Sequence, residues 1–125
     1  MKEALRYLNN AKEILKSVPV ENGTYIDIKP VKEACGTAYL AILIAIDEYL
    51  LKKGINKKEL PRSVDAYRKA LQKYLAVHDG KCPLREFGAL YEALHIAGYH
   101  RGNLYLVDMI KDILKATKAF IGKIS

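Results

Sequence analysis

The sequence predicts an all-α fold, a compact bundle of about five helices around a central apolar second helix, with residues 1–125 forming one domain. Apolar residues recur at spacings of three and four in five stretches, the period of a helix with one buried face. Prolines and glycines fall between those stretches, where helices begin and end. Nothing alternates with period two over the length a strand needs, and no segment repeats another. Half of the residues are apolar, enough for a core without disulfides or metals.

The first helix is expected near residues 2–17, where Ala4, Leu8, Ala11 and Leu15 line one face. Val18-Pro19-Val20 ends it, because proline pushes the preceding residue out of helical geometry. Glu21-Asn22-Gly23-Thr24-Tyr25 reads as a turn-rich loop. The second helix is expected over 28–53, capped by Asp27 and carrying Pro30 in its first turn, where a missing N–H costs little. Gly54 stops it. Its middle, Ala38 to Ile46, is apolar on every face, so other helices or a second subunit must surround it. Gly36 and the alanines allow close approach.

Asn56 with Glu59 resembles a capping box, which predicts a short turn before Pro61. A third helix at 63–77 places Val64, Tyr67, Leu71, Tyr74 and Leu75 inward, and Arg68, Lys69 and Lys73 outward. His78-Asp79-Gly80 breaks it. Pro83 begins a fourth helix at 83–99, with Leu84, Phe87, Tyr91 and Leu94 inward. Gly102-Asn103 separates it from a fifth at 103–122. There Leu106, Ile110, Leu114, Thr117 and Ile121 share the inner face, with Tyr105 and Phe120 off it.

Cys35 and Cys82 form no CxxC pair and fit free thiols in a cytoplasmic protein, although a remote disulfide stays open. The charged, amphipathic N-terminus is not expected to act as a signal peptide. The longest apolar run has nine residues, against the ~20 that span a bilayer, so cytoplasmic localisation without membrane contact is expected. The net charge of +7 is uneven. Lys57, Lys58, Arg62, Arg68, Lys69 and Lys73 face only Glu59 and Asp65 within residues 55–75, a candidate nucleic-acid surface that also reads as a solvated basic face. Lys111, Lys115, Lys118 and Lys123 add a second, smaller excess over Asp108 and Asp112.

The densest polar cluster is Tyr91, His95, Tyr99, His100 and Arg101. Residues 91 and 95, and 95 and 99, are i,i+4 pairs that share a helical face. Such a cluster suits proton transfer or phosphate binding, and equally suits a helix end whose tyrosines pack and whose His and Arg meet the last carbonyls. Glu92-x-x-His95 has the spacing of one half of a carboxylate-bridged metal centre, but neither His78 nor His100 supplies the second half, and Asp47 or Glu48 would have to assist. No metal site and no cofactor are expected. Cys35 lies inside an apolar helix, where a thiol is inert. The sequence contains neither a Gly-x-Ser-x-Gly elbow nor a phosphate-cradling glycine loop.

The stretches Tyr7 to Leu15, Lys32 to Ile42 running on to Gly54, and Gly98-Tyr99-His100-Arg101-Gly102 before a long helix resemble the HEPN-like helical bundles of prokaryotes. The chain also looks like one of the small bacterial families known only as domains of unknown function. The HEPN resemblance implies an all-α bundle, often dimeric, whose relatives are ribonucleases or noncatalytic partners of nucleotidyltransferases. The ribonuclease members carry Arg, four to six residues, then His. Here the positions that would hold that Arg before His78, His95 and His100 hold Leu, Gln, Lys, Gly, Ala and His instead. The resulting expectation is a noncatalytic bundle acting through protein contacts, as a homodimer. The second reading is an RNA-binding or RNA-cleaving relative of the HEPN group.

Overall fold

The computed structural model describes residues 1–75 and 83–125. The helical breaker at His78-Asp79-Gly80 and the state of Cys82 lie outside the described residues, whereas the third helix, expected to reach Val77, already ends at Tyr74, because Leu75 leaves helical geometry with φ of −135°. Helix α1 spans Lys2–Lys16 and buries Ala4, Leu8, Ala11 and Leu15, the four positions of the periodic face. Next comes an antiparallel hairpin, β1 (Val20–Glu21) and β2 (Thr24–Tyr25), where only a loop was expected. Asn22 and Gly23 both take positive φ, 52° and 73°, the backbone of a tight primed turn whose twist matches paired strands. Strands of two residues are too short to show alternation.

Helix α2 runs over Ile28–Lys52, with the Asp27 carboxylate accepting from the Lys29 N–H. Gly54 follows with φ of 93°, the left-handed conformation that glycine adopts without strain. A 3₁₀ turn, Lys57–Glu59, starts at Asn56, whose side chain accepts from the Lys58 N–H at 3.0 Å. Helix α3 is Val64–Tyr74, capped by Ser63. Helix α4, Pro83–Leu90, continues without a break into a π-helix, Tyr91–His100. Helix α5 covers Val107–Ile124, so it begins four residues later than its sequence suggests. Before it, Leu106 is extended and bridges to Thr24, which ties the hairpin to the base of α5.

Helix α2 lies at the centre, packed by α1, the π-helix and α5, while α4 also meets α3 and α5. Ala38, Ala41 and Ala45 of α2 are buried against these neighbours beside Ile42 and Ile46, which no solvent reaches. Each such isoleucine contributes about 1.5–3 kcal/mol through burial. By length and composition α2 would also span a membrane, with a mean hydropathy of 1.5 over eighteen residues, yet half of that stretch is buried inside the bundle. The nine-residue apolar run therefore understated this helix.

Two side-chain expectations are corrected. Phe120 is fully buried rather than off the inner face, because α1, α2 and α4 all pack on α5 and widen its covered arc. Leu106 is 43% exposed, because the extended backbone before α5 takes it out of the helical register. Tyr105 does remain exposed.

Candidate functional site

The π-helix carries the site. In α-helical winding, residues five apart point about 140° away from each other. The i→i+5 winding stacks them one turn apart instead, and π segments concentrate at functional sites. His95 and His100 are thereby brought together, their Nε2 atoms 3.2 Å apart. One ring must donate and the other accept, so at least one of them is neutral.

The rest of the ladder is aromatic. Tyr99 lies nearly parallel to His95, with centroids 5.9 Å apart and an interplanar angle of 8°. On the other side of His95 are Tyr39 of α2 at 4.7 Å and Tyr91 at 5.4 Å. Phe87 extends the array toward Tyr67 of α3, at 6.4 Å. Burial, and then the neighbouring His100, push the His95 pKa below the ordinary histidine value. Burial likewise raises Tyr39 to about 12, with Tyr91 adding to it, so Tyr39 stays a neutral phenol.

Two glycines let the π-helix approach α2. A Cβ on Gly98 would stand 2.6 Å from the Cys35 Sγ, and one on Gly36 would stand 2.8 Å from the Tyr99 ring. Behind Gly98 the Cys35 thiol is sealed, 2% exposed, and burial raises its pKa to about 11. Such a thiol is unreactive at neutral pH.

Of the five residues of the polar cluster, four belong to the ladder. Arg101 does not: it is the exposed residue closing the π-helix, and its backbone N–H donates to the Ile96 carbonyl at 2.9 Å. Glu92 is exposed and is not brought to His95. Among the described residues no three His, Cys, Asp or Glu side chains converge as a metal would require.

The basic set divides. Lys57 and Lys58 sit on the 3₁₀ turn, Arg62 precedes α3, and Lys69 and Lys73 are exposed along α3. Arg68, expected outward, lies over the Tyr91 ring at 5.2 Å and beside Asp65 at 3.4 Å. Its guanidinium links the basic helix to the aromatic ladder.

Apart from Gly36, the sequence did not single out the residues that frame the ladder. Gly36, Thr37, Leu40 and Leu43 of α2 border a cleft of about 430 Å³ with His95 and Tyr99. Leu40 is 48% exposed there. The legible signal was Gly36, a glycine inside an apolar helix, which marks close approach.

Residues 1–125 match the family model described as "Domain of unknown function (DUF5618)". A solved structure described as a protein of unknown function from Dyadobacter fermentans is 32% identical in sequence, with a TM-score of 0.80. The match covers 98% of this chain and 90% of that one. No curated protein matches. Neither description mentions a HEPN protein.

Proposed function

From the premise that the chain belongs to the domain-of-unknown-function family DUF5618, we propose that it is a noncatalytic helical bundle acting through protein–protein contacts, first of all with a second copy of itself. The observation that carries this reading is the open side of α2. Three sides of that helix are covered by α1, the π-helix and α5. Along the fourth, Leu40 and Leu51 remain 48% and 43% exposed, with Leu43 and Ile44 half-buried between them. Positions 40, 43, 44 and 51 share one helical face, interrupted by Asp47, which Tyr67 of α3 engages. A two-fold dimer covers such a face economically, because the same patch serves both subunits.

The ladder fits a binding role. Burial favours the uncharged form of His95, the rings stack on each other, and the nearest thiol is sealed. Light scattering at micromolar concentration tests the proposal. The wild type is expected at the mass of two chains, and Leu40→Glu at the mass of one with unchanged helical circular dichroism. A wild-type mass of one chain across the accessible range would refute it.

One observation favours the second reading, a HEPN-like RNA-binding protein. Arg68 over Tyr91 joins a cationic helix to a stack of aromatic rings that ends at the exposed Tyr99. Stacking faces beside positive charge are what unpaired bases bind. Affinity for single-stranded RNA would then fall steeply with salt as counterions are released. Absence of binding at low salt removes this reading. Cleavage of RNA by the purified protein without added metal would overturn the noncatalytic assignment.

A further inference from the structure

A second cleft, sharing no lining residue with the one beside the ladder, has a composition that the contact role does not use. It lies between the C-terminal half of α1, the hairpin and α5, and encloses about 610 Å³. Its floor is apolar: Leu15, Val18, Tyr25 and Leu114, all at most 8% exposed. Its walls are cationic. Lys12 and Lys16 stand one turn apart on α1, and Lys111, Lys115 and Lys118 line one face of α5. Among the described residues no acidic side chain lines it. Lys16 is paired with Glu13 at 2.8 Å, while among the described residues no ion pair engages Lys12, Lys111, Lys115 or Lys118.

Like charges gathered around a low-dielectric floor repel each other and raise the local potential for an anion. A bare inorganic anion would use the lysines and leave the apolar floor wet. A neutral hydrocarbon would use the floor and leave the charges uncompensated. The size is that of a small-molecule site. From Val107 to Lys118 it follows about 16 Å of α5, the reach of a dodecyl chain. We infer that this cleft binds a single-chain fatty carboxylate, its alkyl chain on Leu15, Val18, Tyr25 and Leu114 and its head group among the α5 lysines.

The exposed position of Val20 provides a safe probe of the cleft, since it lines it while 53% exposed and carries little of the core. The test is calorimetric titration of the full chain with monomeric sodium dodecanoate at pH 8, alongside dodecyl maltoside, which has the same chain and an uncharged head. Saturable one-to-one binding of dodecanoate is expected, stronger than that of the maltoside by at least about tenfold, the combined worth of three exposed charge contacts. The triple variant Lys111→Gln, Lys115→Gln, Lys118→Gln should lose that advantage with an unchanged circular dichroism spectrum. Val20→Asp should weaken dodecanoate binding by setting a carboxylate at the cleft. Equal affinity for the two amphiphiles, full affinity in the triple variant, or binding only to anionic phosphatidylglycerol vesicles without a site for monomeric dodecanoate would each overturn the inference.

Discussion

Asp47 of α2 is half-buried and receives a hydrogen bond from the Tyr67 hydroxyl at 2.9 Å. Burial raises the carboxyl pKa and the tyrosine opposes that rise, while Tyr67 itself is pushed upward by burial and by the nearby carboxylate, so it remains a donor. Tyr67→Phe is expected to cost about 1–2 kcal/mol at pH 7, somewhat below the full worth of a charged hydrogen bond because the site is partly open. A raised carboxyl pKa gives stability that is present below the unfolded value and lost as pH rises through the folded one. The variant should therefore lie closer to wild type at pH 4 than at pH 7 in urea denaturation. An identical difference at both pH values would refute this account. His95 has the opposite sign. Its depressed pKa leaves stability intact above about 6.5, the unperturbed value, and removes it as pH falls through that value toward the folded one. Thermal melts should drop between pH 7.5 and pH 5, and His95→Phe, which keeps a stacking ring but binds no proton, should flatten that slope. A wild-type slope in the variant would show that His95 is not its source.

At the scale of elements, the decisive contact is the π-helix against α2, backbone on side chain at Gly98 and Cys35. Gly98→Ala forces a methyl into space held by the Cys35 Cβ and Sγ, at 2.7 and 2.6 Å, so the helices must move apart. Overpacking of this kind costs about 1–3 kcal/mol. Chemical denaturation of Gly98→Ala should show that loss, and the His95–Tyr99 stack should loosen with it, because both residues ride on the same winding. A variant as stable as wild type would mean the approach is softer than described. Gly88, around which there is open space, is the matched control: Gly88→Ala should be neutral or stabilising, since alanine is the better helix former.

For the whole molecule, the arrangement around α2 sets what the surface can do. Helix α1, the π-helix and α5 pack around it, and the remaining side leaves Leu40 and Leu51 exposed on either side of Asp47. The two clefts are separate in the fold. One lies where the π-helix meets α2 and is mainly aromatic, and the other lies between α1 and α5 and is walled by lysine. A dimer through Leu40 would shade the first and leave the second open. Mass measurement and dodecanoate titration should accordingly report independently, with Leu40→Glu changing the former alone.

The all-α fold, the order of its helices and the buried faces of α1 and α3 were determined by local pattern, whereas α2 read as apolar all round and only packing chose its open side. Apolar spacing, Asp27 as a cap, and glycine after α2 act over one or two turns, so the sequence carries them openly. The i,i+4 relation of Tyr91, His95 and Tyr99 was legible for the same reason, and it survives the change of winding. The pairing of His95 with His100 was not, because nothing local distinguishes ten residues of π-helix from ten of α-helix. Arg68 read as an outward cation, and only the packing of α3 beside α4 puts Tyr91 beneath it. Lys12 and Lys16 lie about a hundred positions from Lys111, Lys115 and Lys118, so their cleft exists only once α1 and α5 dock side by side. Tertiary structure decided those features because each depends on which faces of distant helices meet, and that choice is made by filling a shared core rather than by any one segment's periodicity.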